Sequence, residues 1–346
     1  MLLLVKLNRQ LNVILSSDAL GQFAELSTNS FSGLQGKKLV LIKRGEDAEP
    51  MMGWKSEGAT LPIRPIQFSG TRRDVAALDS SVIQVAETDD GAVYASKAAI
   101  AFNIGGTRNS IMVGPNIVYV GDDSVHTLLG LLEKPVPKHL LLSDPKMAMR
   151  MIRVVTERML AYEVSTGLEQ GLMLIDGSLK PSVFEPRGRP LKQLLWQCAA
   201  NSTKVAAFTK GTKLKAIQRM ESQLFDDDAY ASFVEVTEHI KVFVSDLQGR
   251  SYLTRLTADG IPFRVDLPTD EDPDDVLSTV ISSDVLVRGY PETLRAAHFL
   301  SIFTASEEAI VKSQLTRRAQ VTILPSGNLR RTVLGTLSMS GRRTVS

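Results

Sequence analysis

Leu172-Met173-Leu174-Ile175-Asp176-Gly177-Ser178-Leu179 is the stretch that decides the fold class. Four apolar residues in a row, with no polar alternation, suit a strand buried on both faces, as in a parallel sheet. Upstream, Asp144-Pro145 is a helix start, with Asp as N-cap and Pro at the first helical position. Met147, Met151, Val154, Val155 and Leu160 follow at helical spacing. Downstream, residues 191–201 read as a helix that leads into the strand Val205-Ala206-Ala207-Phe208. That strand ends in Thr209-Lys210-Gly211-Thr212-Lys213. Strands and helices alternating in this order predict an α/β sheet.

Working outward, Val75-Ala76-Ala77-Leu78 is a second buried-type run, ending at Asp79-Ser80-Ser81. Residues 82–85 and 92–101 read as further short strands, with Thr88-Asp89-Asp90-Gly91 as the turn between them. The expectation is a three-stranded meander led by the strand that bears Asp79. Residues 230–266 read as an antiparallel insertion, with strands at 233–236, 240–244, 252–256 and 263–265. The last helix starts at Gly289-Tyr290-Pro291 and carries Leu294, Ala297, His298 and Leu300. Residues 1–70 form a small accessory region, with Lys38-Leu39-Val40-Leu41-Ile42 as a strand. There is no internal repeat and no low-complexity tract.

Composition narrows the class. The 346 residues are 43% hydrophobic and 23% charged, near globular averages, which excludes collagen-like, coiled-coil and disordered readings. One cysteine, Cys198, forms no internal disulfide and no cysteine-based zinc site, which fits a reducing cytoplasm. The run Met1-Leu2-Leu3-Leu4-Val5 is broken by Lys6 and Arg9, too short for a signal sequence or a membrane span. No stretch approaches the ~18 apolar residues a span needs, so no membrane association is expected. The formal charge is +2, but its distribution is uneven. After Glu308, the last acidic residue, come Lys312, Arg317, Arg318, Arg330, Arg331, Arg342 and Arg343. A wholly cationic segment suits an anionic partner, phosphate above all. The acidic groups at 226–228 and 270–275 read as solvated loops or caps.

The chemistry lies at the strand ends. Ligands gather there in open α/β sheets, and a carboxylate at the rim of an apolar run is costly unless paired or metal-bound. Asp79 and Asp176 both occupy such positions, and Glu157 lies on the helix feeding the second strand. Three convergent carboxylates suit a hard divalent cation, Mg2+ or Mn2+. His298 is either a packed core residue or a further ligand; as a ligand it favours Mn2+. Tyr290 is placed two helical turns before it, on the same face.

These residues resemble a known family. Leu174-Ile175-Asp176-Gly177-Ser178-Leu179 resembles the central Asp-Gly-Ser-Leu motif of the NurA nucleases. Gly289-Tyr290-Pro291, Leu294 and Ala297-His298 resemble that family's C-terminal signature. The segment 205–214, with Lys210 and Lys213, is similar to its strand and Ser/Thr-Lys loop. Asp79 falls at its first metal-binding aspartate, although Asp79-Ser80-Ser81 replaces the usual Asp-Gly-Ser. Glu157 falls at its helical glutamate, with Glu163 as a competitor for that role. The resemblance runs from about residue 74 to about residue 320.

The resemblance implies an RNase H-like mixed sheet flanked by helices, with the antiparallel β insertion at 230–266. Residues 71–325 would form this nuclease domain, after the accessory region 1–70 and before a basic tail at 326–346. It further implies a Mn2+-dependent nuclease (Mg2+ possible) on DNA ends, a ring-shaped homodimer, and a HerA-type hexameric ATPase as partner in double-strand-break end resection. The site expected from it is Asp79 shared by two ions roughly 3.5–4 Å apart, with Glu157 and Asp176 divided between them. His298 would be a ligand or proton shuttle, and Tyr290 would orient water or a phosphate oxygen. Lys210, Lys213, Arg330 and Arg331 would hold the DNA backbone, Lys213 being equally readable as a solvated lysine. The chain lacks Gly-x-x-x-x-Gly-Lys-Ser/Thr, which fits a separate motor supplying ATP hydrolysis. Two other classes share the sheet type: a DNA-end scaffold without activity, and a small-molecule metallophosphoesterase.

Overall fold

A computed structural model describes residues 62–88, 91–121, 137–185, 188–209, 230–241 and 244–318. The chain forms two compact units, Met1–Phe303 and Thr304–Ser346. Among the described residues, no helix is long and apolar enough to cross a membrane.

The first unit is built on a nine-stranded mixed sheet. Its strands are β1 (Arg64–Pro65), β2 (Val75–Glu87), β3 (Ala92–Ile104), β4 (Thr107–Val120), β5 (Leu172–Asp176), β6 (Lys204–Thr209), β7 (Ser232–Glu235), β8 (Arg250–Arg255) and β9 (Phe263–Leu267). They lie in the order β1-β7-β8-β9-β6-β5-β2-β3-β4. β2, β3 and β4 are an antiparallel meander, while β2, β5 and β6 are parallel. β9, β8 and β7 extend the same sheet antiparallel beyond β6. This is the RNase H-like arrangement with an antiparallel addition. β1, from the segment assigned to an accessory region, pairs with β7 at the far edge.

The helices are α1 (Lys138–Ser143), α2 (Pro145–Gly167), α3 (Arg189–Ala200), α4 (Thr237–Lys241), α5 (Pro273–Ser283) and α6 (Glu292–Ser301). The tiny strands β10 (Leu286–Val287) and β11 (Tyr290–Pro291) precede α6 as an antiparallel pair. α2 starts as its sequence dictates, with Asp144 Oδ1 accepting from the backbone N–H of Lys146 (2.9 Å) and Met147 (3.3 Å). α5 starts at Asp272-Pro273, so the acidic cluster is a cap with Asp274 and Asp275 in the first turn. Both of those are paired, Asp274 with Arg64 at 2.7 Å and Asp275 with Lys204.

Period-2 alternation divides β2 and β5 between two cores. Val75, Ala77, Leu172 and Leu174 pack with Leu277, Val280, Leu294 and Ala297 of α5 and α6. Ala76, Leu78, Met173 and Ile175 pack with Ala161 of α2 and Leu191, Leu194 and Cys198 of α3. The sheet is therefore covered on both faces where β2 and β5 run side by side.

Three expectations change. Residues 75–78 and 82–85 are not two strands but one, β2. It runs straight through Asp79-Ser80-Ser81 because β3 pairs with it along the whole length. The third strand of the meander is β4, which is exposed nearly throughout although it carries the apolar runs Ile111-Met112-Val113 and Ile117-Val118-Tyr119-Val120. Its signal was Gly105-Gly106, whose positive φ values (57° and 83°) make the two-residue hairpin turn between Ile104 and Thr107. Residues 240–244, read as a strand, begin inside α4. Ile240 N–H donates to the Val236 carbonyl and Val244 N–H to the Ile240 carbonyl. A short apolar run does not distinguish the two periods. The expected strand at 38–42 lies outside the described residues.

The second unit contains α7 (Ala305–Arg318). Thr304 caps it reciprocally with Glu307, Oγ1 accepting from Glu307 N–H (3.2 Å) and Glu307 Oε2 accepting from Thr304 N–H (2.8 Å).

Asp266 on β9 is fully buried. It accepts from Arg264 Nε (2.9 Å) and Nη2 (2.8 Å), Ser251 Oγ (2.6 Å) and the Leu179 N–H (3.1 Å). The last bond ties the loop after β5 to the sheet. Asp266→Leu leaves the Arg264 guanidinium buried without its carboxylate, and should lower stability by about 3–5 kcal/mol. Adding Arg264→Met should restore most of the loss in urea denaturation; equal instability of the double variant would show that the network, not the stranded charge, matters.

Candidate active site

The site follows from strand register. β2 and β5 are parallel, with Val75 beside Leu172 and Leu78 beside Ile175. One step further along each strand stand Asp79 and Asp176, on the face of the sheet that α6 covers. Asp176 is the last residue of β5, so β2 loses its parallel neighbour at the level of Asp79. The sequence expectation of an aspartate at a strand end therefore holds for β5, and for β2 only in the sense that parallel pairing ends there.

α6 delivers His298 to the same face. Its Nδ1–H donates to Asp79 Oδ2 at 2.6 Å, and Nδ1 stands 4.0 Å from Asp176 Oδ2. Ser301, one turn on, donates from Oγ to Asp79 Oδ2 at 3.3 Å. One ligand atom from each of Asp79, Asp176 and His298 lies within 4.8 Å of the others. The Asp79 side chain is 4% exposed and that of His298 41%, so the cluster has a closed floor and an open side.

Ser80, the next residue on β2, points to the opposite face. Its Oγ–H donates to Glu157 Oε1 at 3.0 Å, and its backbone N–H donates to Asp79 Oδ1 at 2.8 Å. Arg153, one turn before Glu157 on α2, reaches both carboxylates: Nε donates to Glu157 Oε1 at 2.8 Å, and Nη2 stands 3.7 Å from Asp79 Oδ1. Burial raises the Glu157 carboxyl above its ordinary range; Arg153 and the Ser80 hydrogen bond oppose this, and the Asp79 charge adds to it. Glu157 is thus next to the cluster, joined to it through Ser80 and Arg153, and is not one of the three convergent residues. Glu163, the competitor, is exposed on α2.

Tyr290 is not on the helix with His298; it belongs to β11. Pro291 ends the extended segment and α6 begins at Glu292. The ring is buried against Phe208 (centroids 5.9 Å apart) and Phe263 (5.1 Å). Burial, reinforced by the charges of Asp176 and Asp79, pushes its hydroxyl far above the ordinary phenol range, so it stays a proton donor. Lys210, Lys213, Arg330 and Arg331 lie outside the described residues.

Reasoning from the sequence missed Ser80, Arg153 and Ser301. The available signals were local: Arg153 lies four residues before Glu157, and Ser301 three after His298, both same-face spacings on a helix.

Tyr290 separates ring from hydroxyl. Tyr290→Phe keeps the packing and should change stability by less than about 1.5 kcal/mol, whereas Tyr290→Ala should cost about 3–5 kcal/mol in chemical denaturation. Equal losses would place the stabilisation in the hydroxyl.

The family model of the NurA domain matches residues 73–301. No curated protein sequence matches the chain significantly. Among solved structures, it is similar to the NurA nuclease from Sulfolobus solfataricus, with 16% identity over 76% of this chain and 89% of that one and a TM-score of 0.49. It is also similar to the catalytic domain of human endonuclease V (15% identity, 86% and 98% covered, TM-score 0.35) and to endonuclease V from Streptomyces avermitilis (16%, 74% and 87%, 0.33). The family match runs from the residue two before β2 to the end of α6, through every element that builds the cluster: the chain belongs to the NurA domain family.

Proposed function

We propose that this chain is a metal-dependent deoxyribonuclease that hydrolyses phosphodiesters at DNA ends. The convergence of Asp79, Asp176 and His298 from two parallel strands and a helix carries this reading. Family membership supports it, since the family resemblance implies DNA cleavage.

The donor set fits a divalent cation. Two carboxylates and a half-exposed imidazole gather over the buried Asp79, where a carboxylate is costly without a compensating positive charge. Asp79, Asp176 and His298 would hold the ion, and the imidazole favours Mn2+ over Mg2+. Such an ion supplies charge neutralisation at a phosphodiester oxygen and a lowered pKa for water.

The residues around it do the positioning. Ser301 and the Ser80 N–H fix the Asp79 carboxylate from two sides, so that it meets the substrate already oriented. In hydrolysis a water oxygen bonds to phosphorus as the bond to the leaving oxygen breaks, and one water proton ends on that leaving oxygen. His298 has one ring nitrogen left beyond its contact with Asp79, and that nitrogen is assigned to the ion, so proton transfer to the leaving oxygen falls to water. Tyr290, kept protonated, donates toward the same region. Lys210, Lys213, Arg330 and Arg331 are assigned to the DNA backbone on their charge and on the family resemblance. The cytoplasm, a HerA-type hexameric ATPase and a homodimer complete the reading, and a motor partner matches the lack of a P-loop motif in the sequence.

Asp79→Asn and Asp176→Asn should each reduce cleavage of linear DNA with Mn2+ by at least about a thousandfold while leaving the fold intact. Mn2+ should raise the melting temperature of the wild type and of neither variant. Full activity in either variant would overturn the assignment. Deleting residues 326–346 should weaken DNA binding and flatten its dependence on salt; an unchanged slope would place that segment at a protein interface instead.

A further inference from the structure

Asp79 divides its two oxygens between two environments. Oδ2 faces Ser301 and His298, whose Nδ1 stands 4.0 Å from Asp176 Oδ2. Oδ1 faces the Ser80 N–H and Arg153. In a centre with two cations, a shared carboxylate offers one oxygen to each ion. Here the positive charge on the Oδ1 side already belongs to the protein. The Arg153 guanidinium bridges Asp79 and Glu157, which are the two carboxylates that would otherwise bracket a second ion.

We propose that Arg153 takes the place of the second cation, so that the centre holds one divalent ion and binds the scissile phosphate with a guanidinium. The inference rests on the metal-centre reading above. Charge supports it: Asp79, Asp176 and Glu157 are balanced by one divalent ion and one guanidinium together, and a second ion would leave the site positive. Geometry supports it as well. A guanidinium has five N–H donors in a fixed fork. Nε–H is given to Glu157 and Nη2 stands 3.7 Å from Asp79; among the described residues Arg153 makes no hydrogen bond to any group other than Glu157. Its side chain is 47% exposed. The remaining donors match two oxygens of one phosphate, the geometry in which arginine binds that group best. As charge builds on the phosphoryl oxygens and the leaving oxygen, the fork stabilises it without changing protonation.

Arg153 also depends on Glu157. The bond between Glu157 Oε1 and Arg153 Nε, braced by Ser80 Oγ on the same oxygen, aims the fork over the sheet edge. Glu157 is then a positioning residue for the arginine.

Mn2+ stoichiometry by isothermal titration and by electron paramagnetic resonance tests the proposal without reference to activity. Wild-type protein should bind one Mn2+ per chain. Arg153→Met, which keeps the helix and clears the bridge between Asp79 and Glu157, should bind two, the second weakly. Arg153→Lys should bind one. DNA cleavage by Arg153→Met at one-ion Mn2+ concentrations should fall about 100-fold or more, and added guanidinium should recover part of it. Melting curves would establish that each variant folds. Two ions in the wild type, or one ion and unchanged cleavage in Arg153→Met, would overturn the inference while leaving the metal centre standing. No Mn2+ bound by the wild type would overturn the metal-centre reading, and this inference with it.

Discussion

The parallel register of β2 and β5 is the constraint on which the site depends. Leu78 beside Ile175 fixes Asp79 beside Asp176, because one step along each strand keeps both on one face. A slip of one residue would turn one aspartate to the opposite face and bring an apolar side chain in its place. The register is locked by packing rather than by the aspartates. Val75, Ala77, Leu172 and Leu174 are buried against one pair of helices, and Ala76, Leu78, Met173 and Ile175 against another. A doubly covered sheet tolerates no slip, so the carboxylates are held where the apolar residues put them. Their mutual repulsion is overcome by the burial of the strands that carry them.

The same alternation explains why the site is built from both faces. Asp79 looks toward α6 and Ser80 toward α2, so two consecutive residues of one strand collect His298 from one side and Glu157 from the other. The two faces can meet only where the sheet ends. β5 stops at Asp176, and beyond it nothing from β5 separates α2 from the edge of β2. Through that gap Arg153 reaches from α2 to Asp79. A β5 longer by two residues would pair with Ser80 and Ser81 and close the passage. The shortness of β5 is therefore as much a part of the site as the residues it carries.

The parts legible in the sequence were those dictated by local rules. Asp144-Pro145 set the start of α2, the apolar run set β5, and two aspartates after apolar runs marked the site. Two carboxylates and the histidine came together as those rules suggested. What was not legible depends on partners distant in the chain. Asp79-Ser80-Ser81 has the composition of a turn, yet β3 lies against it and keeps it extended. β4 carries apolar runs at 111–113 and 117–120, yet most of its side chains meet solvent, so the strand is held by pairing with β3 rather than by a buried face. Tyr290 shares a helical spacing with His298, but Pro291 keeps the segment extended until α6 begins. Arg153 is one of many arginines in a sequence. Only the end of β5 makes it a neighbour of Asp79.

One electrostatic problem remains in this design, and the fold answers it locally. His298 and Ser301 stand in the last turn of α6, so the helix presents its C-terminal, partly negative end to a cluster of carboxylates. Unopposed, that dipole would push α6 away from Asp79. Lys97 of β3 stands against it: its Nζ–H donates to the Ile302 carbonyl at 3.2 Å and lies 5.9 Å from the Phe303 ring centre. Lys97 faces Ser81 across the β2–β3 pair, two residues beyond Asp79 opposite Ala99, and so sits on the face that α6 covers. It also lies where the register with β4 shifts, between Ser96 and Ala98. On β4 the chain passes this point at Gly114 with φ at 101°, where a Cβ would come within 2.7 Å of the Ser96 carbonyl oxygen. A glycine on an edge strand thus permits the bulge, the bulge lies at the buried lysine, and the lysine's charge lets a helix end rest on an acidic floor.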